Sequence, residues 1–252
     1  MGTGPLYDIR PHAGQSLPGL GGCFMGIGTD IADKIFANNG ASYDRIAMLC
    51  TLGLDIWWKN LILQQIPHNP SRIIDQACGT GILTLKIARR FPRCRVVGVE
   101  MHEDFLAVAR QKAQALKLTN VEFILGRAED VILEGGVDCI TSSYLAKYAE
   151  LDLLVKNARA MLRPGGVLIM HELTVPVNPV FAALWRLQFR FLQAYGTWRY
   201  PEWEVSFREL PLLVKETRWL EDLTTALAAE GFSNIRVKPQ LFEVSAIVSA
   251  QK

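Results

Sequence analysis

The chain has 252 residues, half of them hydrophobic, and its 27 lysines and arginines against 25 acidic residues give a net charge of +2. This length and apolar content suit one large α/β domain. Because the charge is nearly balanced, there is no electrostatic reason to expect nucleic acid as a partner. The five cysteines are scattered without C-x-x-C spacing, which predicts reduced thiols and argues against a disulfide framework or a metal site.

The first 34 residues are rich in glycine and proline, and we expect a flexible segment there, followed by a single domain over residues 35–252. Charged residues interrupt the longest apolar stretches well before the roughly 18 positions that a membrane span requires. The start of the chain also lacks the basic and apolar regions of a signal peptide. We therefore expect a cytoplasmic protein that contacts a membrane, if at all, only at its surface.

Helical periodicity covers residues 41–65, and strand-like apolar runs then alternate with helical stretches. The predicted strands are residues 72–75, 95–99, 121–125, 137–141 and 167–173. The predicted helices between them are residues 82–90, 103–116 and 151–162. Five strands that alternate with helices in this way require a parallel sheet with helices on both faces.

After Pro176 this alternation stops. Residues 177–215 are rich in aromatic residues and arginines, which predicts an aromatic lid or insertion. A helix over residues 217–230 follows, and then two strands, 234–238 and 241–250, are separated only by Pro239 and Gln240. So short a connection makes the last two strands antiparallel. We therefore predict a mostly parallel seven-stranded sheet with an antiparallel C-terminal strand.

The first predicted strand ends at Asp75 and runs directly into a turn that contains Gly79 and Gly81. A helix begins immediately after this turn, and the second predicted strand is followed by Glu100. In a parallel α/β sheet, this order of strand, glycine turn and helix binds a nucleoside over the strand ends, with the acid on the ribose hydroxyls. The pattern predicts an adenosine-containing cofactor.

Two cofactors fit such a turn. A dinucleotide site carries a third glycine or alanine, but Thr84 occupies that position here. Asp75 precedes the turn, where its carboxylate would repel a pyrophosphate but suits the cationic amino-acid end of S-adenosylmethionine. The motif therefore favours S-adenosylmethionine and leaves a dinucleotide-dependent oxidoreductase as the alternative.

Several short segments act together as family motifs: Tyr43-Asp44, Trp58-Lys59, Asp75-x-Ala77-x-Gly79-Thr80-Gly81, Glu100, Gly126-x-Ala128-Glu129, Leu162-x-Pro164-Gly165-Gly166 and Gly231-Phe232. They resemble the class I S-adenosylmethionine-dependent methyltransferases, and among these most the ubiquinone/menaquinone biosynthesis C-methyltransferase family. The resemblance implies a Rossmann-like α/β fold and S-adenosylmethionine as the cofactor.

Two segments depart from the family pattern. Arg127 stands where the family usually has an aspartate that binds the adenine amino group. Residues 143–147 read Ser-Tyr-Leu-Ala-Lys, where the family has Phe-Gly-Leu-Arg-Asn. Because of the first departure, the adenine contact must pass to Glu129, Asp130 or backbone groups, or stacking alone holds the adenine. The second departure changes the floor of the active site, so the methyl acceptor stays open.

Carried over to this chain, the cofactor site comprises Tyr43, Asp75, Ala77, Gly79, Gly81, Glu100, Met101, Ala128, Glu129 and Ser142. Asp75 is expected at the ammonium end of the cofactor, helped by the carbonyl groups of Ala77 and Gly79. Glu100 is expected at both ribose hydroxyls, which only a bidentate acceptor serves well. The backbone of Ala128 and either Glu129 or Asp130 are expected near the adenine.

Methylation of a ring carbon is helped by an ionised neighbouring hydroxyl, so a base is useful. His171 lies at the C-terminal end of the fifth predicted strand, where ligands bind, and can titrate near neutral pH. Its neighbour Glu172 faces the opposite side of the sheet, so only one of the two faces the site. Tyr144 and Tyr148, which follow the fourth predicted strand, are the other candidates, with Tyr144 as the third catalytic residue that we predict. The remaining histidines are expected to lie outside the site: His12, His68 and His102.

The resulting hypothesis is C-methylation of a quinol or quinone precursor, and the alternative is O- or N-methylation of another hydrophobic small metabolite. The aromatic residues and arginines of residues 177–215 suit a planar apolar substrate with phenolic groups. They suit the surface of a membrane that holds such a substrate equally well. A homodimer is compatible with the sequence, which does not specify an oligomeric state.

Overall fold

The computed structural model describes residues 32–33, 35–36 and 39–252, so the predicted flexible segment 1–34 falls almost entirely outside the described residues. The predicted helical stretch over residues 41–65 is two helices, α1 (Gly40–Cys50) and α2 (Leu54–Gln65). Leu52 and Gly53 between them have positive φ angles, which turn the chain by 92°. Among the described residues no single helix is long and apolar enough to cross a membrane, although α1 and α2 pass that test jointly across their bend.

The described part of the chain forms one seven-stranded sheet with the order β3-β2-β1-β4-β5-β7-β6. Its strands are β1 (Arg72–Gln76), β2 (Arg95–Glu100), β3 (Val121–Leu125), β4 (Val137–Ser143), β5 (Leu162–Leu173), β6 (Ser233–Gln240) and β7 (Ser245–Gln251). Strands β1 to β5 are parallel, and β7 is antiparallel to both β5 and β6. The predicted Rossmann-like fold with an antiparallel C-terminal strand is confirmed.

Helices cover both faces of the sheet because neighbouring strand residues point to opposite sides. The helices are α3 (Ile82–Arg90), α4 (Glu103–Ala115), α5 (Leu151–Met161), α6 (Pro179–Phe191), α7 (Glu204–Glu216) and α8 (Trp219–Ala229). Ile74 and Val97 belong to one apolar cluster with residues of α5 and α8. Ile73 and Val96 belong to a second cluster with residues of α2 and α3. Strands β1 and β2 thus contribute side chains to both apolar clusters, one on each face of the sheet.

The closing hairpin differs from its predicted form. Strand β6 continues through Pro239 and Gln240, and the turn lies at residues 241–244, where Leu241, Phe242 and Glu243 have positive φ angles. Because β6 is an edge strand, the missing N–H of Pro239 leaves no bond of the sheet unmade. The prediction that Pro239 and Gln240 form the turn is wrong, while the antiparallel pairing is right.

The aromatic segment folds as α6 and α7, joined by a π-helical turn (Leu192–Gly196), a short helical turn (Thr197–Arg199) and a 3-10 turn (Pro201–Trp203). Asn178 caps α6, since its side chain accepts from the backbone N–H of Val180 at 2.9 Å. Trp185, Phe189, Trp203 and Phe207 pack with Trp58 and Leu173 in a third apolar cluster beside the end of β5. This cluster borders the candidate site.

Candidate active site

A cavity of about 690 Å³, measured to its open mouth, lies where β1, β2, β3 and β4 end. It is lined by the loops that follow these strands and by α1: Tyr43, Ala77, Gly79, Glu100, Met101, His102, Phe105, Gly126, Arg127, Ala128, Glu129, Ser143, Tyr144, Leu145 and Tyr148, with Ala32 and Phe36. The strand order reverses between β1 and β4, and ligands of open α/β sheets bind at such a point.

The glycine turn brings the end of β1 against the end of β2. The N–H of Gly79 donates to Oε2 of Glu100 at 2.9 Å, and Gly79 has a φ of +55°. Gly81 begins α3 with a φ of +81°, and a Cβ there would lie 3.1 Å from Cβ of Ala109 in α4. Gly81 does not line the cavity, so its role is the close approach of α3 and α4.

Glu100 is nearly buried, and its carboxylate is fixed from several sides. Besides the contact with Gly79, Oε1 accepts from the N–H groups of Met101 and His102 at 2.9 and 3.1 Å. The ring Nδ1 of His102 lies 3.1 Å from the same oxygen. An anionic acceptor is therefore held rigidly in the cavity wall, which suits recognition of vicinal hydroxyls.

His102 belongs to this site, so the prediction that it lies outside is wrong. Its Nε2 lies 3.0 Å from Oδ1 of Asp33, and its ring packs against Phe36 and Phe105. Burial lowers the pKa of His102, but the hydrogen bonds to Glu100 and Asp33 outweigh it, and the pKa lies above its ordinary value. The sequence signal for this role is that His102 stands two residues after Glu100.

Asp75 is almost completely buried at the end of β1. Its carboxylate accepts from the hydroxyls of Thr84 and Thr141 at 2.6 and 2.7 Å. Thr84, which occupies the third-glycine position, is therefore a partner of Asp75. Burial raises the pKa of Asp75 to about 6, although both hydroxyls oppose this shift. Asp75 lines a second cavity of about 320 Å³ together with Lys59, Ala77 and Gly79.

Asp75→Asn is expected to raise the free energy of unfolding at pH 7 by about 1–3 kcal/mol, because an ionised buried carboxylate disappears. The folded-state pKa is about 6 against an ordinary value of 3.8. Stability of the native chain should therefore fall as the pH rises from about 4 to about 6 and then level off. Urea unfolding across this range measures the difference between the two proteins, with the exposed Asp152→Asn as control. A difference that does not change with pH contradicts the assignment.

The wall expected to meet adenine carries Ala128 and Glu129, both buried. Oε1 of Glu129 accepts from the N–H of Glu150 at 3.1 Å and lies 3.7 Å from Nη2 of Arg127. Arg127 thus lines the cavity and forms an ion pair with Glu129 of the same loop. A Cβ on Gly126 would lie 2.7 Å from Val131, so this loop needs glycine there.

Met101 lines the main cavity, whereas Ser142 does not. The side chain of Ser142 is buried, and within residues 39–252 its hydroxyl has no hydrogen-bond partner. Ser143 lines both polar cavities instead. Side chains along β4 alternate between the two faces of the sheet. The predicted residue, Ser142, comes one position before Ser143 and therefore lies on the face away from the cavity.

A third, apolar cavity of about 520 Å³ adjoins the two polar ones. Its lining comes from α1, α7 and the loop after β4: Ile46, Ala47, Cys50, Thr51, Lys147, Tyr148, Leu173, Trp203, Ser206 and Leu210, with Ile35 and Phe36. Tyr43 and Tyr144 line all three cavities and therefore stand between the polar and apolar compartments. Tyr144 has a φ of +68°, and its hydroxyl donates to Asp55 at 2.9 Å.

His171 and Glu172 point to different surroundings, as expected for strand neighbours. His171 lies between the rings of Trp58 and Tyr144 at 5.1 and 5.2 Å, and its Nδ1 is 3.1 Å from the Ser143 hydroxyl. Burial, with Lys59 and Lys147 nearby, holds the pKa of His171 well below its ordinary value. It lines none of the three cavities, which does not support a proton transfer to substrate by His171.

Glu172 forms a buried ion pair with Lys147 at 2.7 Å, and both side chains are almost fully enclosed. Nζ of Lys147 also lies 4.5 Å from the ring centre of Tyr148. Burial lowers the pKa of Lys147, against the opposing effect of Glu172. Of this pair only Lys147 lines the apolar cavity. Within the described residues, Oε2 of Glu172 and the hydroxyl of Tyr148 have no hydrogen-bond partner.

Comparison with known proteins agrees with this architecture. A model of the methyltransferase domain family matches residues 67–203, more than half of the chain. Demethylmenaquinone methyltransferase of Thermus thermophilus is 30% identical over 222 residues, which cover 84% of this chain and 97% of that protein. The enzyme of the same name from Geobacillus stearothermophilus is 26% identical over 219 residues, covering 85% and 93%.

Among solved structures, phosphoethanolamine N-methyltransferase 2 of Haemonchus contortus in complex with S-adenosyl-L-methionine has a TM-score of 0.57 at 17% identity. The match covers 77% of this chain and 52% of that chain, and it shows a shared fold. The chain belongs to the methyltransferase domain family. It is an S-adenosylmethionine-dependent methyltransferase, and the dinucleotide-dependent alternative is set aside.

Proposed function

We propose that this enzyme transfers a methyl group to a ring carbon of a quinol or a closely related hydroxylated, apolar aromatic molecule. The observation that carries this proposal is a cationic side chain, Lys147, in the wall of an otherwise apolar cavity beside the polar one. Tyr43 and Tyr144 line both compartments. The name of the relatives from Thermus thermophilus and Geobacillus stearothermophilus points to the same substrate class.

The polar cavities fit S-adenosylmethionine by the chemistry of their donor and acceptor groups. Glu100 offers an anionic acceptor for the ribose hydroxyls, and Asp75 with the carbonyl groups of Ala77 and Gly79 offers negative charge for the amino group. Ala128 and Glu129 border the space left for the adenine. When bound, the cofactor supplies an electrophilic methyl group and leaves as S-adenosylhomocysteine.

Lys147 is the residue we assign to the acceptor's hydroxyl oxygen. An ammonium group enclosed in an apolar cavity stabilises the ionised form of a hydroxyl beside it, so the acceptor releases that proton to solvent as it binds, and the ionised hydroxyl makes the adjacent ring carbon nucleophilic. After methylation, the ring hydrogen at that carbon moves to the oxygen and restores the hydroxyl. Glu172 orients Lys147 through their ion pair. Tyr148 lines the same cavity, and its buried hydroxyl can donate a second hydrogen bond to that oxygen. Enclosure by the surrounding apolar side chains excludes water.

O-methylation is the second candidate, and the same observation favours it. An oxygen that Lys147 holds as an anion is itself nucleophilic, so the acceptor could be methylated at oxygen. The departure of residues 143–147 from the family pattern falls at this point of the cavity. Carbon and oxygen products are therefore the two outcomes that an experiment must separate.

The test is incubation of the full chain with methyl-labelled S-adenosylmethionine and a reduced, prenylated demethylnaphthoquinone, followed by NMR of the product. We expect a methyl group bound to a ring carbon. A methyl ether assigns the O-methyl alternative. Transfer to an amine substrate with none to the quinol would overturn the proposed substrate class and leave the methyltransferase class intact.

A further inference from the structure

The outer face of α6 carries a continuous apolar stripe of side chains that are exposed to solvent. Its members recur every three or four positions and continue through the turns after α6: Val180 64%, Leu184 56%, Leu187 62%, Phe191 62%, Tyr195 37% and Trp198 76% exposed. The rings of Phe191 and Tyr195 stack at 5.6 Å, and Tyr195 lies 6.1 Å from Trp198. These six residues are the outer stripe.

The outer stripe is not the core side of the helix. Ala182, Trp185, Phe189 and Leu192 form the opposite side and are buried, the last three of them in the cluster beside β5. A surface helix of a globular domain needs only one apolar face. A second one of this extent marks a site of interaction.

The β6–β7 turn enlarges this apolar surface. Phe242 is more than half exposed and stacks on Phe181 of α6 at 4.1 Å, with the two rings 21° from parallel. Leu241 beside it is also exposed, and Val177 just before α6 is 84% exposed. The surface therefore extends from the hairpin along the whole of α6.

Every charged residue of the segment that carries the outer stripe is positive, and one acid, Glu243 of the β6–β7 turn, accepts from the N–H of Val177 at 3.2 Å at the near end of this surface. Residues 177–200 contain no Asp or Glu, and they contain three exposed arginines, Arg186, Arg190 and Arg199. Within residues 39–252 no carboxylate lies at ion-pair distance from any of the three. Apolar and aromatic residues flanked by unpaired arginines match a surface that is apolar inside and anionic outside.

We infer that this face docks the enzyme on a lipid bilayer that contains anionic lipids. The outer stripe enters the boundary between headgroups and acyl chains, Trp198 lies at the headgroup level, and the arginines meet the lipid phosphates. Gln188 of the same helix donates to the carbonyl of Cys50, which lines the apolar cavity, so the docked helix adjoins the cavity wall.

A second copy of the chain fits this face less well. A two-fold interface brings each patch against its own equivalent, so Arg186 and Arg190 would face arginines with no acid from residues 177–200 between them. The anionic bilayer satisfies the charge and the apolar surface together. Docking concerns a surface away from the cofactor cavity and does not rest on the proposed substrate.

The test is co-sedimentation of the full chain with vesicles of phosphatidylcholine, with and without phosphatidylglycerol. We expect binding to the anionic vesicles that weakens about tenfold in Arg186→Gln/Arg190→Gln and as strongly in Leu184→Gln/Phe191→Gln. The matched controls Arg89→Gln/Arg90→Gln at the end of α3 and Leu116→Gln/Leu125→Gln, just after α4 and at the end of β3, change exposed residues elsewhere and should bind as the native chain does. S-adenosylhomocysteine affinity checks that every variant is folded.

Failure to bind either kind of vesicle, or equal loss of binding in the control variants, overturns the inference. So does a dimer in sedimentation equilibrium that dissociates in Leu184→Gln/Phe191→Gln, because the face would then belong to a second copy. None of these outcomes affects methyl transfer to a soluble acceptor, so this inference and the proposed function fail independently.

Discussion

Lys147→Met is expected to abolish methyl transfer and to lower the free energy of unfolding by about 3–5 kcal/mol. The substitution keeps the apolar stem but removes the ammonium group, which leaves Glu172 as a fully buried carboxylate without its cation. An ionised group in that position must either be neutralised by a proton or destabilise the fold. Urea unfolding at pH 7 and a single-turnover assay measure the two effects.

The double variant Lys147→Met/Glu172→Leu separates stability from function. Replacing both members of a buried ion pair by apolar residues of similar size is often neutral, so most of the lost stability should return. Methyl transfer should not return, because no cation faces the acceptor. Recovery of turnover together with stability would mean that the pair is purely structural and that our assignment of Lys147 is wrong.

Arg218→Met supplies the matched control for a broken ion pair. Arg218 pairs with Glu221, but both side chains are largely exposed. Solvent screens such an exposed pair, so stability and turnover should both stay close to those of the native chain. A loss as large as that of Lys147→Met would point to general sensitivity of the assay.

The fold was accessible from sequence because its signals are local. Each apolar run of β1 to β4 is long enough for a buried strand, and glycine or proline marks several of the connections, at Gly79 and Gly81, at Pro92, and at Gly135 and Gly136. The C-terminal hairpin shows where local signals fail to predict the structure. Pro239 is an ordinary turn signal, yet on an edge strand its missing N–H costs nothing, and only the order of strands reveals that β6 is an edge.

The cofactor side of the site was accessible for the same reason. Ala77 and Gly79 lie in the loop directly after β1 and Glu100 is the last residue of β2, and a parallel sheet gathers these strand ends at one edge. Ser142 shows that predicting the correct strand end is not enough to predict the lining residue. A shift of one position along β4 moves a side chain from the buried face to the cavity. His102 was missed although it stands two residues after Glu100, and its second ring contact, with Asp33, joins residues that are distant in sequence.

The acceptor side depends on packing that no short motif encodes. Lys147 and Glu172 meet because β4 and β5 pair in a particular register and the loop after β4 returns across their ends. Asp55 reaches Tyr144 only because the chain turns sharply between α1 and α2. The sequence marked residues 143–147 as unusual without indicating which partner they would find.

Glu100→Ala is expected to weaken binding of S-adenosylmethionine by about 1–3 kcal/mol, as for the loss of a charged, nearly buried hydrogen-bond acceptor. It should also destabilise the apo protein, because the N–H groups of Gly79, Met101 and His102 lose the carboxylate that satisfies them. The glycine turn would then no longer be tied to the end of β2. Calorimetric titration and urea unfolding measure these two losses separately.

Glu100→Gln distinguishes a direct contact with the cofactor from a support of the turn. The amide retains one oxygen for the backbone donors but has a single acceptor, so it cannot serve two ribose hydroxyls as well. We expect it to recover part of the stability and little of the affinity, while the exposed Glu134→Gln leaves both unchanged. Full affinity in a folded Glu100→Gln variant would mean that the ribose is held elsewhere in the cavity, with Glu100 acting only on the glycine turn.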